Sequence, residues 1–199
     1  NDYSHELYSF IWHDFCDWYV EYAKEPLRGD DAGRKAHTLA VMHTTFRTAL
    51  KMLHPLMPFI TEELWAEMGY GGEGDFLMMS RWPEGFDKET RTAWGLTRAN
   101  MEVVEAKRDL IRAARQLRAD YNIKPSRDID FIVRPVSPDM ADTLAAEVDS
   151  VNLLVGGTVT LDSEYTPEGA APGLVSKAGN VFMPADGLID VEAEVERLE

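Results

Sequence analysis

The chain has 199 residues, 45% of them apolar, with 35 acidic against 20 basic side chains and a formal net charge of −15. That size allows one ordinary domain plus a smaller one with real cores, and that charge disfavours non-specific attraction to phosphate. No apolar run reaches the roughly 18 residues of a membrane span, no basic region followed by an apolar stretch opens the chain, and the lone Cys16 supports neither an internal disulfide nor a zinc set.

Residues 3–24 carry Leu7, Phe10, Ile11, Phe15, Trp18 and Tyr22 at three- and four-residue steps, the spacing of one helical face. Pro26 and the Gly29-Asp30-Asp31 cluster are expected to end that helix. Cys16, inside it, reads as a small buried apolar residue rather than a nucleophile. A second periodic run covers residues 34–53, with Leu39, Phe46, Leu50 and Leu53 inward. Pro55 and Pro58 force a turn, and Pro58 suits the first turn of a third helix. Glu62 and Glu63 favour its positive dipole end and Gly69 its left-handed cap. Residues 71–75 read as a flexible loop and residues 76–82 as an extended apolar segment stopped by Pro83.

A long helix is expected from about residue 90 to 121. Ala106, Leu110, Ala113, Ala114, Leu117 and Tyr121 share one arc, and Lys107, Arg108, Arg112, Arg115 and Arg118 the facing one. Beyond Pro125 the composition changes. Residues 129–133 read as a strand, 139–148 as a helix, 158–161 as a strand, and 174–183 as a hairpin around Ala178-Gly179-Asn180. Residues 163–173 read as a loop, and residues 188–199 as a new helix with Ile189, Val191, Val195 and Leu198 at heptad-like steps.

Each catalytic template fails. Gly71-Gly72-Glu73-Gly74 lacks the Lys and Ser/Thr of a phosphate loop, and His37 and His43, six apart, do not share a helical face as metal ligands would. No catalytic or metal residue is assigned. What remains is a binding surface. Residues 107–127 hold seven basic side chains against Asp109 and Asp120, so if the chain has an RNA-facing surface, it is expected to be local and centred there. The plain alternative is a solvated face that confers solubility. Trp12, Trp18, Tyr19 and Trp65 could stack splayed bases or form the core. Arg81-Trp82 could contact a base or pack under the long helix.

Several ordered segments carry a resemblance. Residues 7–22, with Phe15-Cys16-Asp17-Trp18-Tyr19, residues 54–65, Arg81-Trp82-Pro83, residues 111–126 and residues 187–198 together resemble the anticodon-binding part of class I aminoacyl-tRNA synthetases, the valyl-tRNA synthetases in particular. The ATP-binding signatures His-Ile-Gly-His and Lys-Met-Ser-Lys-Ser have no counterpart here. The resemblance implies a mainly α fold: a helical bundle over residues 1–124 lacking its first helix, a small α/β domain over 125–186, and the start of a coiled-coil arm over 187–199. It implies a C-terminal fragment, inactive alone, of a cytoplasmic ligase whose other domains use ATP and Mg. The implied partners are tRNA(Val) and the rest of the synthetase, not membrane or DNA. Arg112, Arg115, Arg118, Arg108, Arg81 and Trp82 are the expected RNA contacts. A helical protein-interaction module without RNA binding is the alternative, favoured by the net charge.

Overall fold

The computed structural model describes residues 2–72, 74–124, 129–167 and 171–184. The fold is mainly helical with one small sheet, and two compact units divide between Asp87 and Lys88. Among the described residues no helix is long and apolar enough to cross a membrane.

The first unit opens with one helical run in three parts: α1 (Asp2–Ser9), a π-helical stretch (Phe10–Val20) and α2 (Glu21–Arg28). Ser9, Val20 and Glu21 keep right-handed helical angles, so nothing breaks the run. A π turn closes its hydrogen bonds over five residues instead of four, which shifts each side chain around the axis. The 3.6-residue reading therefore fails inside it. Phe15 is buried and stacks on Phe46 at 6.2 Å, whereas Phe10 and Cys16, both expected inside, are exposed. Pro26 does not end the helix as expected. It costs one donor two residues before the end, its ring is buried, and the chain leaves at Gly29 with ψ 171°.

Asp31 caps α3 (Ala32–Leu53) by accepting from the Arg34 amide at 3.0 Å. The Arg34 guanidinium grips Glu25 through both nitrogens, at 2.8 and 2.7 Å, fastening α2 to α3. The buried face of α3 holds Thr38, Ala49 and Leu50, while Leu39, expected inward, is exposed. Thr38 takes that place because its carbonyl accepts from the Tyr19 hydroxyl, drawing this side of the helix against the first run. After the turn, α4 (Pro58–Glu67) begins on its proline, and Gly69 has φ +66°. Leu50, Trp65 and Leu77 form the local core, with Phe46, Leu64 and Tyr70 packed around it. Residues 76–82 are not extended throughout. A 3₁₀ turn (Leu77–Met79) interrupts them because the Glu62 carboxylate accepts from the Leu77 and Met78 amides, at 2.5 and 3.3 Å, and holds the chain bent.

In the second unit the expected helix over 90–121 is two helices, α5 (Lys88–Ala93) and α6 (Arg98–Asp120). Gly95, at φ +64°, ends the first, and Thr97 starts the second by accepting from the Asn100 amide. The single helix expected over 139–148 is likewise two, α7 (Pro138–Ala146) and α8 (Val148–Val155), bent at Glu147, which lies at φ −122°. The strands are β1 (Asp130–Pro135), β2 (Thr158–Leu161), β3 (Gly173–Ser176) and β4 (Gly179–Phe182), in the order β2-β1-β4-β3. The α7–α8 crossover makes β1 and β2 parallel, in register Phe131 to Val159. The β3–β4 hairpin runs antiparallel to β1, with Val133 opposite Val181. Helix α6 packs on β3, β4 and α8. It buries Ala106, Leu110, Ala114 and Leu117 as its periodicity requires, and Ile111 besides. The bundle expected over 1–124 includes this helix, whose packing partners β3, β4 and α8 follow it in the chain. The coiled-coil arm expected over 187–199 lies outside the described residues.

Candidate nucleic-acid interface

The cationic arc of α6 is an internal fastening before it is a surface. Arg118 is only 8% exposed, and its Nη1 donates to the carbonyls of Val155 at 3.2 Å and Gly156 at 2.8 Å. Arg115 Nε donates to the Leu154 carbonyl at 2.8 Å. These carbonyls belong to the last turn of α8, where four carbonyls lack intrahelical partners and the helix dipole is negative. Two guanidiniums thus cap one helix end. Gly156 makes this possible: it sits at φ +69°, and a Cβ there would lie 2.7 Å from Arg118 Nη1.

Further along α6, Lys107 pairs with Glu147 at 2.6 Å, at the junction of α7 and α8. Arg108 pairs with Glu105 at 3.1 Å within α6. Asp109 accepts from the Lys177 amide in the β3–β4 turn. Arg112 is exposed on α6. Within this unit Arg115 and Arg118 hold the end of α8, Lys107 holds Glu147, and Arg108 holds Glu105 on α6 itself.

The remaining expected residues lie in the first unit. Arg81 and Trp82 are adjacent and exposed, Trp82 at 55%, and the Arg81 carbonyl accepts from Lys51 Nζ at 3.2 Å. The four rings named from sequence separate. Trp65 is core, covered by the Arg47 guanidinium 5.1 Å from its centroid and Lys51 Nζ at 5.8 Å. Tyr19 donates to the Thr38 carbonyl, and Trp18 is half-buried. Trp12 is exposed and stacks on Tyr8, with centroids 6.4 Å apart and planes 5° from parallel.

The Tyr70 hydroxyl sits 3.0 Å from His43 Nδ1, and the ring lies beneath Arg47. Burial pushes its pKa above the usual phenol value against the opposing pull of Arg47. Tyr19 is raised too, by burial first and by Tyr22 second. The Arg34 guanidinium is raised chiefly by its hydrogen bond to Glu25. Among the described residues no group of three His, Cys, Asp or Glu side chains could hold a metal.

The sequence reading missed two features. Arg47 and Lys51 lie one turn apart on α3 over Trp65, a spacing visible in the chain without its target. The other is a cleft beside α4, lined by His54, Phe59, Glu62, Glu63 and Phe76 among others. Its only sequence signal was an apolar run flanked by acids.

Residues 1–133 match the family model of the anticodon-binding domain of tRNA ligase. The chain is 34% identical over 194 residues to the valine–tRNA ligase of Listeria innocua serovar 6a, covering 97% of this chain and 21% of that protein. It is similar at 34% over 195 residues to the enzyme of Staphylococcus aureus strain bovine RF122, and at 31% over 194 residues to that of Bacillus licheniformis, with the same coverages. The chain thus spans about a fifth of the length of these relatives.

Proposed function

The chain belongs to the anticodon-binding domain family of tRNA ligases, and we propose that it docks the anticodon arm of tRNA(Val) as one part of a valine–tRNA ligase. The observation that carries this reading is the extent of the likeness: relatives named valine–tRNA ligase match over 97% of the chain, through both compact units. In such an enzyme, attachment of valine with ATP and Mg falls to other domains, and no residue here is assigned to it.

The chemistry suits anticodon recognition. Phosphate contacts position an RNA, and unstacked loop bases are read by stacking and edge hydrogen bonds. Each unit offers exposed groups of the right kind: Arg112 in the second, and Arg81 with Trp82 in the first. We assign the RNA contact to these three. Arg118 and Arg115 support it by holding α6 and α8 together, a positioning role, and Arg108 pairs with Glu105 on α6 itself. A net charge of −15 leaves little non-specific attraction, so the contact is local and selective.

The test compares tRNA(Val) with another tRNA over a salt series. The expected result is tighter binding of tRNA(Val), with affinity falling linearly on a log–log salt plot. Arg112→Glu should weaken binding of both RNAs and lower the salt slope by about 1. Trp82→Ala should cost about 1–3 kcal/mol, the worth of one stacked base. Equal affinity for the two tRNAs at every salt concentration would overturn the valine assignment.

A further inference from the structure

The cleft beside α4 plays no part in the RNA reading. It has a volume of about 780 Å³ and lies between α4 and the Leu77–Met79 turn. Its apolar lining includes Pro58, Phe59, Ala66, Phe76 and Met78. Phe59 is 90% exposed, and Phe76 and Met78 are more than half exposed. Single exposed apolar side chains are ordinary, but several around one concavity mark an interaction site.

The polar lining is dominated by acids, with His54 beside them. Glu62, Glu63 and Asp75 contribute three carboxylates, and no Lys or Arg is among the described lining residues. Glu62 is engaged by the Leu77 and Met78 amides, and Asp75 accepts from the Gly72 amide at 3.1 Å. The Glu63 side chain is exposed. A phosphate brought here would meet three carboxylates and, among the described lining residues, no Lys or Arg. A cationic side chain would meet its complement.

We propose that this cleft docks a polypeptide segment that is apolar on one face and carries arginine or lysine beside that face. Apolar side chains of the segment enter between Phe59, Phe76 and Met78, where the thioether adapts to their shape. Its cation lies against Glu63, and an arginine can form two parallel hydrogen bonds there. The charge complementarity assigns the cleft to a basic polypeptide rather than to RNA.

The test uses two labelled amphipathic helical peptides with leucines on one face, flanked by arginines in one and glutamates in the other. Fluorescence anisotropy should show binding of the arginine peptide alone, and excess tRNA should leave it bound. Phe59→Ser and Glu63→Lys should each weaken binding about tenfold or more. Both side chains are exposed, so the unfolding temperatures should stay unchanged. No binding, equal binding of the glutamate peptide, unaltered affinity in both variants, or displacement by tRNA would each overturn the proposal. So would a dimer in sedimentation that Phe59→Ser dissociates, since the face would then belong to a second copy.

Discussion

Arg118 shows how one side chain can look like a ligand contact and serve as a cap. Its guanidinium reaches carbonyls 37 and 38 residues away, at the end of α8. Hydrogen bonds from a charged group contribute about 1.5–3 kcal/mol each in favourable settings. Arg118→Ala should therefore destabilise the chain by roughly 2–4 kcal/mol in chemical denaturation. Arg112→Ala, on an exposed position of the same helix, should stay within about 0.5 kcal/mol of the parent. Tyr19 and Tyr70 give a pH signature. Burial raises both phenols above the usual tyrosine value of about 10, so the folded state keeps a proton that the unfolded chain releases. Their contribution is fully present below pH 10 and is lost as the pH rises through the folded values. Unfolding free energies measured from pH 9 upward should decline, and less steeply in the Tyr19→Phe, Tyr70→Phe double variant. An identical slope in both proteins would contradict the assignment.

At the scale of elements, two kinds of local chemistry decide where helices run. Caps leave a mark in the chain: Asp31 before α3, Pro58 opening α4, Ser137 before α7 and Thr97 before α6 each carry the side chain expected at a helix start. The break at residues 94–97 was readable in principle from Gly95 and Thr97, but the apolar periodicity on both sides hid it. The π-helical stretch left no such mark. Its hydrogen bonds shift each side chain off the 3.6-residue period, so Cys16 could not be placed from spacing. Glu62 has a similarly distant effect. It ties α4 to a turn 15 residues on by accepting two amide protons. Glu62→Ala should cost about 1–2 kcal/mol by leaving them unpaired, and Glu62→Gln, which keeps an acceptor, should cost less. Amide exchange at Leu77 and Met78 should quicken in the alanine variant alone.

For the whole molecule, the surplus of 15 negative charges is the dominant field. Self-repulsion opposes the folded state and is screened over about 10 Å at 0.1 M salt. The midpoint of thermal unfolding should rise as sodium chloride is added from low ionic strength, whereas affinity for tRNA should fall. The two trends separate folding electrostatics from RNA contact in one salt series. The division at Asp87 also changes what the long basic helix means. It is the companion of a β2-β1-β4-β3 sheet, and its cations secure the crossover that makes β1 and β2 parallel.

The sequence by itself determined the family, the mainly helical character, the hairpin around Ala178-Gly179 and the inward face of α6. The family follows from the order of several short segments, and the other three depend on residues close together in the chain, where propensity, capping and periodicity act. Only the tertiary structure decided which cations are engaged, because the partners of Lys107, Arg115 and Arg118 lie 37 to 40 residues away. It also gathered Phe59, Glu63, Phe76 and Met78 around one cleft. A row of arginines has the same period whether it faces water, RNA or the open end of another helix; what differs is the desolvated carbonyl across from it, and folding alone brings that into reach.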